Sequence, residues 1–382
     1  DLMAIDVHVL GTASARPTND RAVSGSLVKG PNGIAVIDAG EGFQTRFANQ
    51  RRHLKTSGSG DTLKPGRVNV LAFTHGHLDH TWGALPWLQS MDLENRQQPL
   101  LVIGPTSLDA IEALKQGAPF PEHIPSADLA RQFVAWFALG VERLQMPIRW
   151  VLGDVGEDVW IEIDPLSATV TTLERMPQPK EWRNMTLRCF PTVHSVPSCG
   201  WMVEQGPTPG TFDRERADEL DLNTKQRARL ARGEDILGPD GNTLEAAWFR
   251  GEPLAPVSVL ISGDTASCPP AWPAGLAPTL LIHEATFLNE QQDKAHEHLH
   301  STAIGAVQTA HAVGAKHLAL THYSNRIKDE NTAKKEAETV ADGLPLVALN
   351  DGDRLVLSDH GRLKHLSRDS EGWQGTNIPP NR

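Results

Sequence analysis

Five short apolar runs, each ending in residues able to bind metals or carry protons, constrain this chain more than any other feature. Ile34-Ala35-Val36-Ile37 leads into Asp38-Ala39-Gly40-Glu41-Gly42, and Val68 to Phe73 leads into Thr74-His75-Gly76-His77-Leu78-Asp79-His80. Val257 to Ile261 ends in Ser262-Gly263-Asp264-Thr265, Leu280-Leu281-Ile282 in His283-Glu284-Ala285-Thr286, and His317 to Leu320 in Thr321-His322. Short continuous apolar runs are the pattern of strands covered on both faces. Polar and titratable groups at one end of each run then converge on one edge of a sheet sandwich, so a site is expected from residues far apart in sequence.

The cluster at 75 to 80 sets the chemistry. His75, His77, Asp79 and His80, crowded within six positions, suit two adjacent divalent ions that share further ligands from elsewhere. A surface histidine tract is the plainer alternative, and such tracts rarely follow a buried strand. The same logic nominates His194, in a loop between Pro191 and Pro197, Asp264 beside Gly263, and His322. Singly, a histidine near a strand end is commonly a core or surface residue, and Gly-Asp-Thr is commonly a turn. Their joint recurrence at strand ends carries the nomination. With Asp264 as a bridge, His75, His77 and His194 fall to one ion, and Asp79, His80 and His322 to the other. Zinc is the expected metal, with manganese or another divalent ion as the alternative.

Composition narrows the setting. The chain has 382 residues, 39% hydrophobic content and a net charge of -11. No stretch approaches the roughly 18 apolar residues of a membrane span. The start shows no secretory succession of basic, apolar and small residues. Cys189, Cys199 and Cys268 are too few and too scattered for a disulfide framework or a CxxC zinc site, so a reducing cytoplasm is expected. The acidic balance argues against a surface that coats nucleic acid generally and leaves room for a local basic arm.

In order, the motifs resemble the metallo-β-lactamase superfamily and, within it, tRNase Z, the endonucleases that remove tRNA 3′ trailers. Leu10-Gly11-Thr12 with Pro17-Thr18 opens the likeness, and Asp38-Ala39-Gly40-Glu41-Gly42-Phe43-Gln44 is similar to the family's D-x-G-E-G-T-Q. The histidine cluster with Gly83, Leu85 and Pro86, then Gly104-Pro105, His194-Ser195-Val196-Pro197 and Ser262-Gly263-Asp264-Thr265 follow. His283-Glu284-Ala285-Thr286-Phe287, His300-Ser301-Thr302 and Leu320-Thr321-His322-Tyr323-Ser324 complete it, and the first two of these favour the tRNase Z branch. The resemblance implies an α/β fold of the αββα sandwich type, spanning 1–382 as one domain, and metal-assisted phosphodiester hydrolysis. It implies that Asp79 holds the nucleophilic water and takes its proton, and that His300, backed by Glu284, protonates the departing 3′ oxygen. It also implies precursor tRNA as substrate and a homodimer in which one subunit's arm presents RNA to the other's site.

His296-Glu297-His298-Leu299-His300 is also a formal H-E-x-x-H match, which needs both outer histidines inside one helix. The sequence instead predicts a helix capped by Ser301, with Ile304, Val307 and Ala310 as its apolar stripe. Thr12, Ser14, Arg16 and Arg21 lie in an early loop suited to phosphate contact, although the family's Arg-Asn pair reads Arg21-Ala22. Lys225, Arg227, Arg229 and Arg232 make the segment near 207–238 a basic candidate arm for an RNA backbone, or else one solvated helix face. Asn223-Thr224-Lys225 stands where the family's arm has a Gly-Pro turn. An insertion is expected near 115–155, its tryptophans in core packing. Leu78, in place of a usual glycine, makes the cluster similar to class II cyclic-nucleotide phosphodiesterases, the alternative reading, with another metallo-β-lactamase-fold hydrolase, acting on a lactam, lactone or thioester, as a more distant one. An inactive metal-binding scaffold would have no use for Asp79, Glu284 and His300 together.

Overall fold

Period-two alternation within the apolar runs sends successive side chains into different cores. In the strand Val68–Ala72, Val70 and Ala72 point to one layer and Leu71 to another; in Val257–Ile261, Val257, Val259 and Ile261 oppose Leu260. The computed structural model describes residues 2–379, so residue 1 and residues 380–382 of the expected span lie outside the described residues.

Two sheets result. The larger runs in the order Gly372–Ile378, Leu363–Asp369, Arg354–Ser358, Met3–Gly11, Gly25–Gly30, Gly33–Ala39, Val68–Ala72, Leu100–Pro105, Ile148–Asp154, Val159–Ile163, Val170–Leu173. The smaller runs Leu346–Ala348, Leu318–Thr321, Leu280–Glu284, Val257–Ile261, Cys199–Gln205, Met185–Pro191. Ile5, Val7, Val70, Trp201, Val259 and Ile282 belong to the layer between the sheets. Helices Phe43–Thr56, Ala84–Leu93, Leu108–Gln116 and Leu129–Ala138 cover the outer face of the larger sheet. Ala303–Val313 and Glu330–Glu338 cover that of the smaller. This is an αββα sandwich, with apolar layers stacked because each element must bury its hydrophobic face against another.

Segments between strands depart from expectation in three places. Residues 148–154 of the expected insertion are a strand deep in the larger sheet, paired in parallel with Leu100–Pro105. The stretch before it does pack as core, through Phe133 and Trp136, whose rings meet Trp150 of that strand. The arm reaches beyond 238: bridges Thr208 to Leu254 and Phe212 to Arg250 close its neck. It holds its own apolar cluster of Ala217, Leu222, Leu230, Ile236, Ala246 and Phe249. Asn223 caps the helix Thr224–Ala231 in a reciprocal capping box with Gln226, so that helix begins where the family has its Gly-Pro turn.

The third departure concerns Ser301. The cap of Ala303–Val313 is Thr302, whose hydroxyl accepts from the Gly305 amide. Ser301 is spent elsewhere, its hydroxyl donating to the Thr265 carbonyl and its amide to Glu284. In the expected stripe Val307 and Ala310 are buried, whereas Ile304 is only partly so. His296 lies in the helix Gln292–His298, which stops at Leu299 in the left-handed region, and His300 lies beyond it. The H-E-x-x-H match is therefore coincidental.

Candidate metal centre

Strand ends deliver the site, as the recurring runs predict. His75, His77, Asp79 and His80 follow Val68–Ala72, Asp264 follows Val257–Ile261, and Glu284 ends Leu280–Glu284. His322 follows Leu318–Thr321, and His194 sits between the paired strands ending at Pro191 and beginning at Cys199. Gly263 and His322 have φ of 62° and 61°, left-handed conformations that hold the two turns against the centre. At Gly263 a Cβ would meet Thr74 at 2.5 Å, so the turn needs glycine for space as well as for φ.

The candidate ligands form two groups, His75, His77, His194, Asp264 and Asp79, His80, Asp264, His322, each with ligand atoms within 4.8 Å of one another. Asp264 divides between them. Its Oδ2 lies 3.7 Å from His75 Nε2 and 3.9 Å from His194 Nε2, while Oδ1 lies 3.2 Å from both His80 Nε2 and His322 Nε2. Asp79 Oδ2 stands 3.5 Å from His80 Nε2 and 3.6 Å from His322 Nε2. Asp264 Oδ1 and His322 Nε2 are buried without a hydrogen-bond partner, a costly arrangement that bound cations would relieve. The nitrogen-rich donor set with carboxylates suits zinc-like divalent ions.

The other ring nitrogens are held from behind, which fixes orientation. His80 Nδ1 is 2.7 Å from Asp38, His75 Nδ1 3.0 Å from the Thr74 hydroxyl, His322 Nδ1 3.1 Å from the Thr286 hydroxyl and His194 Nδ1 3.1 Å from the Leu299 carbonyl. Asp38, itself at φ 62°, also accepts from the Thr74 amide and hydroxyl at 2.7 Å each. Its motif was visible in the sequence, but its task as the support of His80 was not. Gly76 is forced by packing, since a Cβ would stand 1.8 Å from the Ala127 carbonyl oxygen. Gln132 closes the same contact by donating to the Gly76 carbonyl.

Electrostatics separates the groups. Burial, aided by repulsion from His80, keeps His75 well below the usual imidazole range and thus neutral, as a ligand must be. Burial pushes Asp79 up, but His80 and His322 outweigh it and hold it at about 2. Glu284 is buried, and its oxygens accept from the amides of Thr265, Thr286 and Ser301, from the Thr286 hydroxyl and from His300. Those donors leave it a poor metal ligand, despite the proximity of Glu284, His300 and His322. Burial disfavours a charged His300, yet Glu284 at 2.7 Å prevails and raises it to about 9. Its Nε2 points back toward the centre, 4.0 Å from Asp264 Oδ2.

The proposed substrate contacts divide. Ser14 and Arg16 line an open cleft of about 410 Å³ with His77, His194 and His300, and so does Arg326, which the sequence reading missed. Thr12 and Arg21 do not reach it. Arg21 is buried over the Tyr323 ring, donating to Thr12, Asn350 and Glu330, and the Thr12 hydroxyl donates to Asp351. These contacts tie this arginine inside the fold. The arm is less basic than its helix suggests. Residues 207–254 carry ten carboxylates against seven basic side chains. Arg227 pairs with Asp218, and Arg229 and Arg232 share Glu234, while Lys225 has no ion pair among the described residues.

The sandwich and its edge define a metallo-β-lactamase fold. The metallo-beta-lactamase fold protein YhfI from Bacillus subtilis superposes with a TM-score of 0.54 at 15% identity, over 92% of this chain and 99% of that one. A long form RNase Z from yeast gives 0.54 at 15%, over 93% of this chain and 42% of that one. No family model matches the chain. Among curated relatives, ribonuclease Z of Myxococcus xanthus is 30% identical over 319 residues, covering 83% of this chain and 86% of the relative. That of Salinibacter ruber is 30% identical over 344 residues, covering 88% and 90%, and that of Porphyromonas gingivalis strain W83 26% over 356, covering 93% and 100%. The chain belongs to the ribonuclease Z family.

Proposed function

We propose that this chain removes the 3′ trailer from precursor tRNA by hydrolysing one phosphodiester at a binuclear metal centre. Membership of the ribonuclease Z family makes it a hydrolytic endoribonuclease. The observation that carries the mechanism is Asp264, its two oxygens facing two separate histidine sets, with the Glu284–His300 pair beside them. His75, His77 and His194 would hold one divalent ion, His80, His322 and Asp79 the other, and Asp264 both. Bound there, the ions supply Lewis acidity and an activated water. Asp79, anchored by the Ala15 amide at 2.8 Å, would orient that water and take its proton. His300 holds Nδ1–H toward Glu284, which leaves Nε2 to deliver a proton to the departing 3′ oxygen. Ser14, Arg16 and Arg326 meet the phosphates in the cleft.

Zinc is the metal this reading favours. The free thiols suit a reducing cytoplasm, and no helix among the described residues is long and apolar enough to cross a membrane. The reading places 1–382 in one catalytic domain carrying the arm, and a homodimer in which the arm grips RNA for the partner's site. Size-exclusion chromatography with light scattering tests the dimer. The activity is tested by incubating metal-loaded protein with a 3′-extended tRNA precursor and with cyclic AMP. Trailer release supports the proposal, whereas cleavage of the cyclic nucleotide alone overturns it in favour of the phosphodiesterase reading that Leu78 suggests.

A further inference from the structure

His300 is a wall common to two cavities of opposite character. The cleft on the side of His77 and His194 is bordered by Arg16 and Arg326, cationic groups fit for phosphates. A second cavity of about 280 Å³ lies between the helices Gln292–His298 and Ala303–Val313, and His300 lines it as well as the cleft beside the candidate metal ligands. Leu299 and Ile304 give it apolar walls, and Asn289, Gln292 and Gln308 line it with carboxamides. All three carboxamides stand at exposed positions. Its size is near the low end of small-molecule sites, room for one heteroaromatic ring system. Apolar surface for a ring face, with carboxamides for its edge, is how proteins read an unstacked RNA base.

We infer that this cavity binds the base of the nucleotide immediately 5′ of the scissile phosphate. The inference rests on the assignment of His300 as donor to the departing 3′ oxygen. That oxygen belongs to the ribose of this nucleotide, so the donor and the base lie on the same side of the phosphate. The phosphates beyond the scissile bond then follow Arg16 and Arg326. Carboxamides pair bidentately with adenine through its N6 and N7, so adenine is the preferred base.

The test uses metal-loaded full-length protein and four precursor tRNAs differing only at that nucleotide, with bis(p-nitrophenyl) phosphate, which has no base, in parallel. The expected wild-type order places adenine first. Gln308→Ala and Asn289→Ala, both at exposed positions, lower kcat/KM for the adenine substrate roughly three- to tenfold each and flatten the order, while hydrolysis of the nitrophenyl ester stays unchanged. Variants that keep the wild-type rate and order on all four precursors overturn the pocket. Failure of the wild type on every precursor, with the ester still hydrolysed, overturns the tRNA reading and the pocket with it.

Discussion

Gly76→Ala is expected to disable the enzyme without unfolding it. A methyl group at this position would stand 1.8 Å from the Ala127 carbonyl oxygen, where ordinary contact begins at 3.4 Å, so one of the two backbones must retreat by about 1.6 Å. The Ala127 side is braced, because Gln132 bonds both the Gly76 and Ala127 carbonyls and Asp128 bonds Thr106 and the Ala130 amide. The movement therefore falls on His75 and His77. Overpacking of this kind costs about 1–3 kcal/mol of stability, whereas a displacement of about 1 Å at a reacting centre can cost about 100-fold in rate. The assay combines kcat/KM on a precursor tRNA, metal stoichiometry by mass spectrometry, and urea unfolding. Gly42→Ala is the control: Gly42 has φ 78° and nothing within 4 Å of an added Cβ, so it pays backbone strain of about 1–2 kcal/mol with no motion at the site. Gly76→Ala cleaving within threefold of wild type with both metals bound would refute the reasoning.

His300→Ala should retain two metals and lose roughly 10² to 10⁴-fold in kcat. Because Glu284 raises His300, its acid form is lost as pH rises through the raised value; Glu284→Gln should move the alkaline limb of kcat downward, and an unmoved limb would separate the pair functionally. Arg354→Met leaves buried Asp6, which Arg354 meets at 2.7 Å, with His8 as its remaining partner and should cost about 3 kcal/mol in urea unfolding. Burial pushes Asp6 up, but His8 and Arg354 outweigh it and hold it below the usual carboxylate range, so this stability is present at neutral pH and lost as pH falls below about 4. On the arm, Lys225→Ala should weaken tRNA binding and reduce its salt slope by about 1. Glu234→Gln should tighten binding by releasing Arg229 and Arg232, as filter binding across a salt series would report.

The sandwich was legible because its strands are buried on both faces and read as unbroken apolar runs, each ending in a chemical group. The candidate ligands were legible for the same reason. What escaped the sequence depends on contacts made at long range. Arg21 looks like a phosphate ligand until Glu330 and Asn350 arrive from more than 300 residues away. Ser301 looks like a helix cap until Glu284 claims its amide. The arm's end was hidden because Leu254 pairs back to Thr208 across the whole excursion. The strands Leu363–Asp369 and Gly372–Ile378 lie past the last motif, and their mixed polar pattern reflects exposure on the sheet's margin.

The central claim is that cleavage requires two cations straddled by Asp264. Stepwise return of zinc to chelated protein, with trailer release followed at each addition, tests it directly. The account predicts little cleavage up to one equivalent per chain and a rise to full rate as the second binds, with Asp264→Asn failing to recover at any zinc level. Full activity at one equivalent, or in the chelated protein, would contradict it.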